Sequence, residues 1–374
     1  MFRTFTFRLT PNKAQTAVLE YILADCCETY NAALQERREA WKLCRESIGL
    51  YAQQRQLTEL RKDSRFSKIA LDIQRDPLRR IDRAFQAFFR RCKAGEKPGY
   101  PRFRSRHRYD SFSFGDDLIV RNNQLLIPRL SQFRLRGGRD IQGKPKLCTI
   151  KRTGKKWTAR IVCDIGPAPE KRAVSSAVGI DVGLTTLATL SDGAVVPNPR
   201  WVRKHEARIA AANKRLARKV RGSKNRLRAR EVLRRAHQCA VDARRNYLHH
   251  VSKQLVQTYD LIAFEKLNIK GMAKSRLAKS ILDAAWGELV WQITYKAEGA
   301  GAWAIPVNPR NTSQMCSGCG ALVQKTLRER VHRCTCGLEM DRDLNASHNI
   351  LRLGRSLVGQ PAEDLITTTT SGRS

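Results

Sequence analysis

The hydrophobic and polar positions of the first hundred residues follow two different periods. In residues 1–9, phenylalanine and leucine alternate with threonine and arginine, which is typical of a strand with one buried face. From residue 11 to residue 95, apolar residues recur at helical spacing. We expect helices to start at Thr10-Pro11 and at Asp76-Pro77, because a capping residue followed by proline favours a helix start.

Between residues 96 and 170 the pattern changes to short alternating segments separated by turn signals such as Asn122-Asn123 and Gly154. Such a succession predicts a small antiparallel β-barrel. We expect the N-terminal strand to join it, so that the helices become an insertion into the barrel. The segments are SFSF (111–114), LLIP (125–128), KLCTIKR (146–152) and WTARIVCDI (157–165).

The second half of the chain mixes strands and helices. Residues 177–196 read as strand, tight turn, strand and a second turn, and residues 260–269 as an apolar strand that ends on an acid. The remaining helical patterns are a hairpin over 202–235 broken near Gly222-Ser223, and helices over 238–258 and about 278–300.

The net charge of the chain narrows the range of partners. The 374 residues carry 71 Lys and Arg against 34 Asp and Glu, a net charge of +37. Residues 202–235 alone hold 14 Arg and Lys and 2 Glu. This charge argues against an inert structural domain and predicts that the chain binds a polyanion, above all nucleic acid. The sequence contains no apolar run long enough for a membrane span and no secretory signal.

Four of the eleven cysteines cluster late in the chain. Cys316 and Cys319 form one pair, Cys334 and Cys336 the other, and a glycine follows each pair. Two such turns predict a closed structural zinc site, whereas redox-active or incidental cysteines are the alternative. The second pair has a single intervening residue, so His332 could replace one cysteine ligand. The other seven cysteines are scattered, which fits a reducing cytosol.

Acidic residues end apolar strands or precede a helix in the second half. Asp181 follows AVGI, Glu265 follows LIAF, and Asp341 and Asp343 precede NASHNIL. Carboxylates that converge at one sheet edge cannot all stay ionised without a cation, and Mg²⁺ prefers oxygen ligands. Taken singly, each acid is more typical of a cap or a surface charge. Together they predict a two-Mg²⁺ site of the kind that cleaves phosphodiesters.

Three segments, GIDVGLTTLATLSDG, AFEKLNI and DRDLNASHNI, resemble the catalytic segments of a RuvC nuclease. Their order, with NTSQMCSGCG leading into the cysteines, resembles that of the TnpB family, which is similar to the type V CRISPR effectors. The resemblance implies an α/β multi-domain fold with an RNase H-like RuvC nuclease domain, a zinc-ribbon insertion, and a small β-barrel wedge domain with a helical recognition insertion. The implied boundaries are 1–10 and 96–170 (barrel), 11–95 (recognition), 171–306 and 340–356 (nuclease), 307–339 (ribbon) and 357–374 (disordered tail).

The resemblance also implies an activity. The catalytic triad of the family corresponds to Asp181, Glu265 and Asp343, with Asp341 as the alternative third acid and Asn345 as a support for it. The implied protein is a Mg²⁺-dependent, RNA-guided DNA endonuclease with a structural zinc ion, which cuts next to a short motif that the protein reads. Its partners would be a guide RNA and double-stranded target DNA in the prokaryotic cytoplasm, at the nucleoid when on target. The oligomeric state stays open. A non-cleaving RNA-guided regulator and an RNase H-fold transposase are the alternatives.

Nucleic-acid contacts are expected in three regions. Tyr51, Ser111 and Phe112 are candidates for reading the flanking motif, from their place in the resemblance. The other candidates are basic residues of the segment at 97–108 and of the hairpin at 202–235, namely Arg102, Arg104, Lys214, Arg215 and Arg218.

Overall fold

The computed structural model describes residues 1–115, 118–127, 130–137, 140–326 and 329–358. The expected tail at 357–374 therefore lies outside the described residues, apart from its first two positions. The chain divides into two compact units, Met1–Pro167 and a second that begins at Ala168. None of the helices in the described part of the chain has the length and apolar character that crossing a bilayer requires. The finer domain boundaries stay predictions.

The first unit begins with a strand and continues with three α-helices in its described residues, and both expected helix starts are wrong. The first helix is capped by Asn12, which exchanges side-chain and backbone hydrogen bonds with Gln15 in a capping box. The helix bounds are α1 Lys13–Cys44, α2 Leu50–Leu60 and α3 Leu71–Lys93, with a short 3₁₀ turn at Ser64–Phe66.

Pro77 lies inside α3 rather than at its start. A proline at this position leaves the carbonyl four residues earlier, that of Ile73, without its helical donor. The thiol of Cys26 on α1 lies 3.8 Å from that oxygen and donates to it. Asp76 is a link to the sheet and not a cap, because its carboxylate accepts the N–H of Ser113 at 3.0 Å and pairs with Arg80 at 2.7 Å.

The strands of the first unit form one antiparallel sheet in the order β2-β6-β7-β1-β5-β4-β3 among the described residues. As expected, the N-terminal strand joins it, pairing with β7 over its whole length. The described pairings leave β2 and β3 with one neighbour each, so closure into a barrel stays a prediction. The bounds are β1 Phe2–Leu9, β2 Ser111–Phe114, β3 Ile119–Arg121, β4 Gln124–Ile127, β5 Ser131–Arg136, β6 Lys144–Thr153 and β7 Lys156–Asp164.

The second unit is built on a mixed sheet in the order β10-β9-β8-β11-β12. Strands β10, β9 and β8 pair antiparallel, whereas β8, β11 and β12 run parallel. Parallel neighbours bring the carboxyl ends of β8 and β11 to the same edge of the sheet. The bounds are β8 Ala177–Val182, β9 Thr186–Leu190, β10 Val195–Pro197, β11 Leu261–Glu265 and β12 Trp303–Val307, followed by a hairpin of β13 Val331–Arg333 and β14 Glu339–Asp341.

The basic residues 202–235 form a helical hairpin, as their pattern predicts, and a short helix of four residues precedes it. The break falls at Gly222, whose φ of 84° is a left-handed conformation, and Ser223 caps the next helix by accepting the N–H of Arg226. That helix runs on to Thr258, so the separate helix expected over 238–258 is wrong. The helix expected over 278–300 is interrupted at Ala285. The bounds are α4 Trp201–Lys204, α5 Glu206–Ala217, α6 Lys224–Thr258, α7 Ile269–Met272, α8 Ala278–Ala284, α9 Trp286–Ala300 and α10 Arg342–Ser356.

Helix α10 lies with its backbone against the sheet because glycines permit the approach. A Cβ at Gly179 on β8 would clash with the carbonyl oxygen of Ser347, and one at Gly354 would clash with Ala263 on β11. Ile350 of the same helix is fully buried against Leu261 and neighbouring residues of the sheet. The sheet and α10 therefore form one packed body, which fixes where the first turn of α10 lies relative to β8.

Candidate active site and metal centre

Two of the expected acids lie side by side at the carboxyl edge of the second sheet. Ile180 of β8 is paired with Phe264 of β11, so the next residues on these parallel strands are Asp181 and Glu265. The residues before Glu265 in β11 are buried, whereas Glu265 itself is half-buried. Register in the sheet, rather than sequence spacing, brings these carboxylates together.

The other two acids lie at the start of α10 and differ in their contacts. Asp341 caps the helix, since its Oδ1 accepts the N–H groups of Asp343 at 2.8 Å and Leu344 at 3.0 Å. Asp343 lies inside the first turn, and its Oδ1 pairs with the guanidinium of Arg342 at 3.0 Å. The carboxylate of Asp341 thus accepts backbone N–H groups, whereas the carboxylate of Asp343 forms an ion pair with the side chain of Arg342.

The acids lie within one another's electrostatic field. Burial, followed by the negative charges of Glu265 and Asp343, raises the pKa of Asp181 to about 8, while Arg342 acts in the opposite direction. Burial also raises the pKa of Glu265, against the hydrogen bond donated by Thr312. Carboxylates that resist ionisation together are a fitting set of ligands for a divalent cation, which would favour the charged form of each.

The raised pKa of Asp181 predicts a pH effect on stability. Between the ordinary carboxyl pKa near 4 and about 8, the folded protein keeps a proton that the unfolded chain releases. The free energy of unfolding therefore falls as the pH rises through this range. Asp181→Asn cannot titrate, so at pH 8 it should be more stable than wild type by at least about 1 kcal/mol, the worth of one pKa unit.

Urea unfolding from pH 5 to pH 8, in Mg²⁺-free buffer that leaves zinc in place, measures this effect. The wild-type protein should lose stability with pH more steeply than Asp181→Asn. Parallel curves for the two proteins would contradict it.

The four clustered cysteines come together as the sequence predicts. One ligand atom from each of Cys316, Cys319, Cys334 and Cys336 lies within 4.8 Å of the others. The Sγ–Sγ distances are 3.6 Å for Cys316–Cys336 and 3.5 Å for Cys319–Cys334. Four sulfurs at about 2.3 Å from one zinc would be about 3.8 Å apart, so the cluster has the size of a structural zinc site.

The thiols also show why such a cluster needs a cation. Burial acts to raise the pKa of Cys316, but the N–H of Cys319 and the side chain of His332 outweigh it and lower the pKa to about 7. The N–H of Cys336 is the main cause that lowers the pKa of Cys334 to about 6. The N–H of Leu338 acts to lower the pKa of Cys336, but the neighbouring thiols raise it to about 12.

His332, the alternative ligand, does not belong to the four-atom cluster. The ring is fully buried, and its Nδ1 contacts the ammonium group of Lys325. The side chain acts to lower the pKa of Cys316, and its buried Nε2 has no hydrogen-bond partner among the described residues. The geometry thus favours four cysteine ligands, with His332 outside the set.

The candidate contacts of the first unit differ in accessibility. The side chain of Tyr51 is 78% exposed, and Ser111 is half-buried with the guanidinium of Arg80 at 3.2 Å from its hydroxyl. Phe112 is fully buried in the core of this unit. The expectation that its ring contacts nucleic acid is therefore wrong, because β2 turns that side of the strand inward.

The basic candidates all lie on the surface. Arg102 and Arg104 are exposed, and the Arg104 guanidinium lies 5.4 Å from the ring centroid of Tyr30. Lys214 and Arg215 are exposed on the last turn of α5, and the exposed Arg218 forms its C-cap. Their positions agree with a role in binding a polyanion.

Thr312 is a site residue that sequence reasoning missed. Its hydroxyl donates to Oε1 of Glu265, and the residue is 1% exposed. It lies in the NTSQMCSGCG segment, so the available signal was a polar residue shortly before the first cysteine pair. Asn345, expected to support the third acid, instead bonds to the backbone of Met315 and Ser317.

Three family models match this chain. The OrfB_IS605 model, described as a probable transposase, matches residues 160–276, and a Cas12f1-like TNB domain matches residues 286–350. A model described as a helix-turn-helix domain matches residues 1–46, where this structure has β1 and the single helix α1.

Relatives match the chain over nearly its whole length. A "Putative RNA-guided DNA endonuclease" of Streptomyces pristinaespiralis is 32% identical over 94% of this chain and 89% of its own. The "Putative RNA-guided DNA endonuclease InsQ" of Escherichia coli K12 is 29% identical over 95% of this chain and 93% of its own.

Among solved structures, the cryo-EM structure of the Cas12f1-sgRNA-target DNA complex has a TM-score of 0.59 at 16% identity, covering 89% of this chain and 82% of that one. This likeness, with the matched TNB domain and its cysteine cluster, shows a RuvC-type multi-domain arrangement. The chain belongs to the OrfB_IS605 (TnpB) family, which is related to the type V CRISPR effectors.

Proposed function

We propose that this protein is an RNA-guided DNA endonuclease whose active site is formed by Asp181, Glu265 and Asp343. The observation that carries the proposal is the placement of the three acids at one edge of the sheet, where the charges of Glu265 and Asp343 add to burial in raising the pKa of Asp181. Such mutual repulsion is typical of carboxylates arranged to hold a cation. The names of the two relatives described above supply the substrate and the guide.

Two strands and one helix position the three acids. The paired strands β8 and β11 hold Asp181 and Glu265 beside each other, and α10 brings in Asp343. Asp341 keeps the first turn of that helix in place through its two backbone hydrogen bonds. Mg²⁺ ions bound by the three acids would stabilise the attacking and leaving oxygens of the phosphodiester. The four cysteines would hold a structural zinc ion.

The exposed basic residues would bind the guide RNA and the RNA–DNA duplex through the phosphate backbone, leaving sequence recognition to base pairing. Lys214, Arg215 and Arg218 are the candidates of the second unit. In the first unit the candidates are Arg102 and Arg104, with Tyr51 and Ser111 for the flanking motif. We place the working protein at the nucleoid of a prokaryotic cytoplasm.

Sequencing the RNA that copurifies with the protein, followed by reprogramming of its guide segment, tests the function. We expect one discrete RNA with a constant scaffold, and cleavage that follows the new guide in plasmids with a randomised flanking sequence. Random cellular RNA with guide-independent cleavage would contradict the proposal. Strand-transfer products with transposon ends would favour a transposase instead.

The basic candidates of α5 predict a change in salt dependence. Replacing Lys214, Arg215 or Arg218 singly by alanine should weaken RNA binding and lower the slope of log K against log salt by about 1, because one phosphate contact is lost. Binding isotherms between 50 and 300 mM KCl measure this. Arg234→Ala is the matched control, since Arg234 on α6 already pairs with Glu231 at 2.7 Å. Slopes equal to that of wild type would contradict the assignment.

A further inference from the structure

Thr312 lies at the meeting point of the acid site and the segment that leads to the cysteines. The residue is buried, and its hydroxyl donates to Oε1 of Glu265. The carbonyl oxygen of Pro309, at 3.0 Å, is a second acceptor for the same hydroxyl. A hydroxyl has a single proton, and a carboxylate is the stronger acceptor. The geometry therefore favours the bond to Glu265.

The backbone around Thr312 is bound to α10. Asn349, which is 1% exposed, donates from Nδ2 to the carbonyl oxygens of Thr312 at 3.0 Å and Met315 at 2.7 Å. Asn345, fully buried one turn earlier, donates to the same Met315 oxygen at 2.8 Å and accepts the N–H of Ser317 at 2.9 Å.

These hydrogen bonds hold the backbone on both sides of the first cysteine. Met315 and Ser317 are the residues on either side of Cys316, and both are held by Asn345. The segment before the cysteine cluster thus contacts β11 through Glu265 and α10 through two asparagines. The first turn of the same helix carries Asp343. A shift of this segment would therefore move the hydroxyl that contacts Glu265. It would also disturb the hydrogen bonds to α10, the helix that carries Asp343.

We propose that Thr312 is a positioning residue that orients the carboxylate of Glu265 for the cation, and that the two asparagines of α10 hold Thr312 in place. The inference rests on the proposed function. The hydroxyl fixes Oε1 and thereby the plane of the carboxylate, which leaves the other oxygen to approach the cation. A ligand already oriented by a hydrogen bond loses less conformational freedom on binding.

Two matched pairs of variants isolate the hydroxyl. Thr312→Val keeps the branched shape and removes the hydroxyl, and Thr312→Ser against Thr312→Ala differ in the hydroxyl alone. Mn²⁺ binding to the full protein free of nucleic acid is measured by calorimetry. The Asp181→Ala variant serves as the control that shows how much Mn²⁺ binds outside the acid site. The Mg²⁺ dependence of cleavage at saturating guide and target is measured in parallel.

We expect Thr312→Val and Thr312→Ala to weaken Mn²⁺ binding and raise the half-saturating Mg²⁺ concentration by about 10–100-fold, with target binding unchanged. Thr312→Ser should remain near wild type. Equal behaviour of the serine and alanine variants would overturn the assignment, because the hydroxyl would then have no role. Full cleavage by Asp181→Ala would overturn the proposed function itself, whereas an inactive Asp181→Ala with a normal Thr312→Val would overturn the role of Thr312 alone.

Discussion

Asp181→Ala is expected to abolish target cleavage while leaving guide RNA and target DNA binding nearly intact. The carboxylate lies beside Glu265 on the neighbouring strand, and the charges of Glu265 and Asp343 help to raise its pKa. Losing a ligand of a cation worth several kcal/mol of transition-state stabilisation should lower the rate by about a thousandfold or more. Nucleic-acid binding depends on basic residues elsewhere, so it should persist.

Single-turnover cleavage and filter binding of the same preparations separate the two effects. Asp242→Ala is the matched control, because this exposed acid on α6 accepts a hydrogen bond from Gln238 of the same helix at 2.7 Å. It should cleave like wild type. Asp343→Ala should lose cleavage activity as Asp181→Ala does. Asp341→Ala should mainly lower the free energy of unfolding, by about 1 kcal/mol, through the lost helix cap. A cleaving Asp343→Ala with an inactive, folded Asp341→Ala would reverse the assignment of the third acid.

Cys316→Ser is expected to remove zinc and, with it, most of the cleavage activity. Cys316 is the buried member of the cluster, and the residues on both sides of it are bonded to α10. A structural zinc site contributes folding free energy directly, so its loss should unfold residues between the two cysteine pairs. The segment that carries Thr312 would lose its anchor at the same time.

Metal analysis and limited proteolysis measure this outcome. Wild type should contain about one zinc per chain, and Cys316→Ser should contain little and be cut readily near the cysteine pairs. Cys239→Ser, at an exposed cysteine on α6, is the control and should keep its zinc. His332→Ala should also keep zinc if the four sulfurs are the ligands. A Cys316→Ser variant with full zinc content and activity would refute the site.

The sequence predicts the positions of two acids in their strands but not the helix starts. Asp181 and Glu265 each follow four apolar residues near the carboxyl end of a strand, and this order is visible in the local sequence. Asp76-Pro77 looks like a helix start by the same local logic, yet α3 has already begun at Leu71. There, contacts from distant residues prevail: the Cys26 thiol bonds to the carbonyl that Pro77 leaves without a donor, and Asp76 bonds to β2. Local propensity cannot anticipate partners that come from far along the chain.

The contacts of single side chains were less accessible to the sequence. The alternation of serine and phenylalanine in β2 predicts that the phenylalanine face is buried, as it is, and the nucleic-acid role expected for Phe112 came from the resemblance instead. Thr312 is one of several polar residues before Cys316, and its contact with Glu265 depends on how the segment after β12 returns to the sheet.

By itself, the sequence determined the basic character of the chain, the two cysteine pairs, the break at Gly222 and the acids at the strand ends, because each of these depends on neighbouring residues. Only the tertiary structure decided that Asp341 caps α10 while Asp343 pairs with Arg342, that His332 lies outside the cluster of four sulfurs, and that Thr312 reaches Glu265. Those outcomes depend on sheet register and on the close approach of α10 at Gly179 and Gly354. Both are long-range properties of packing, which a local pattern permits without specifying.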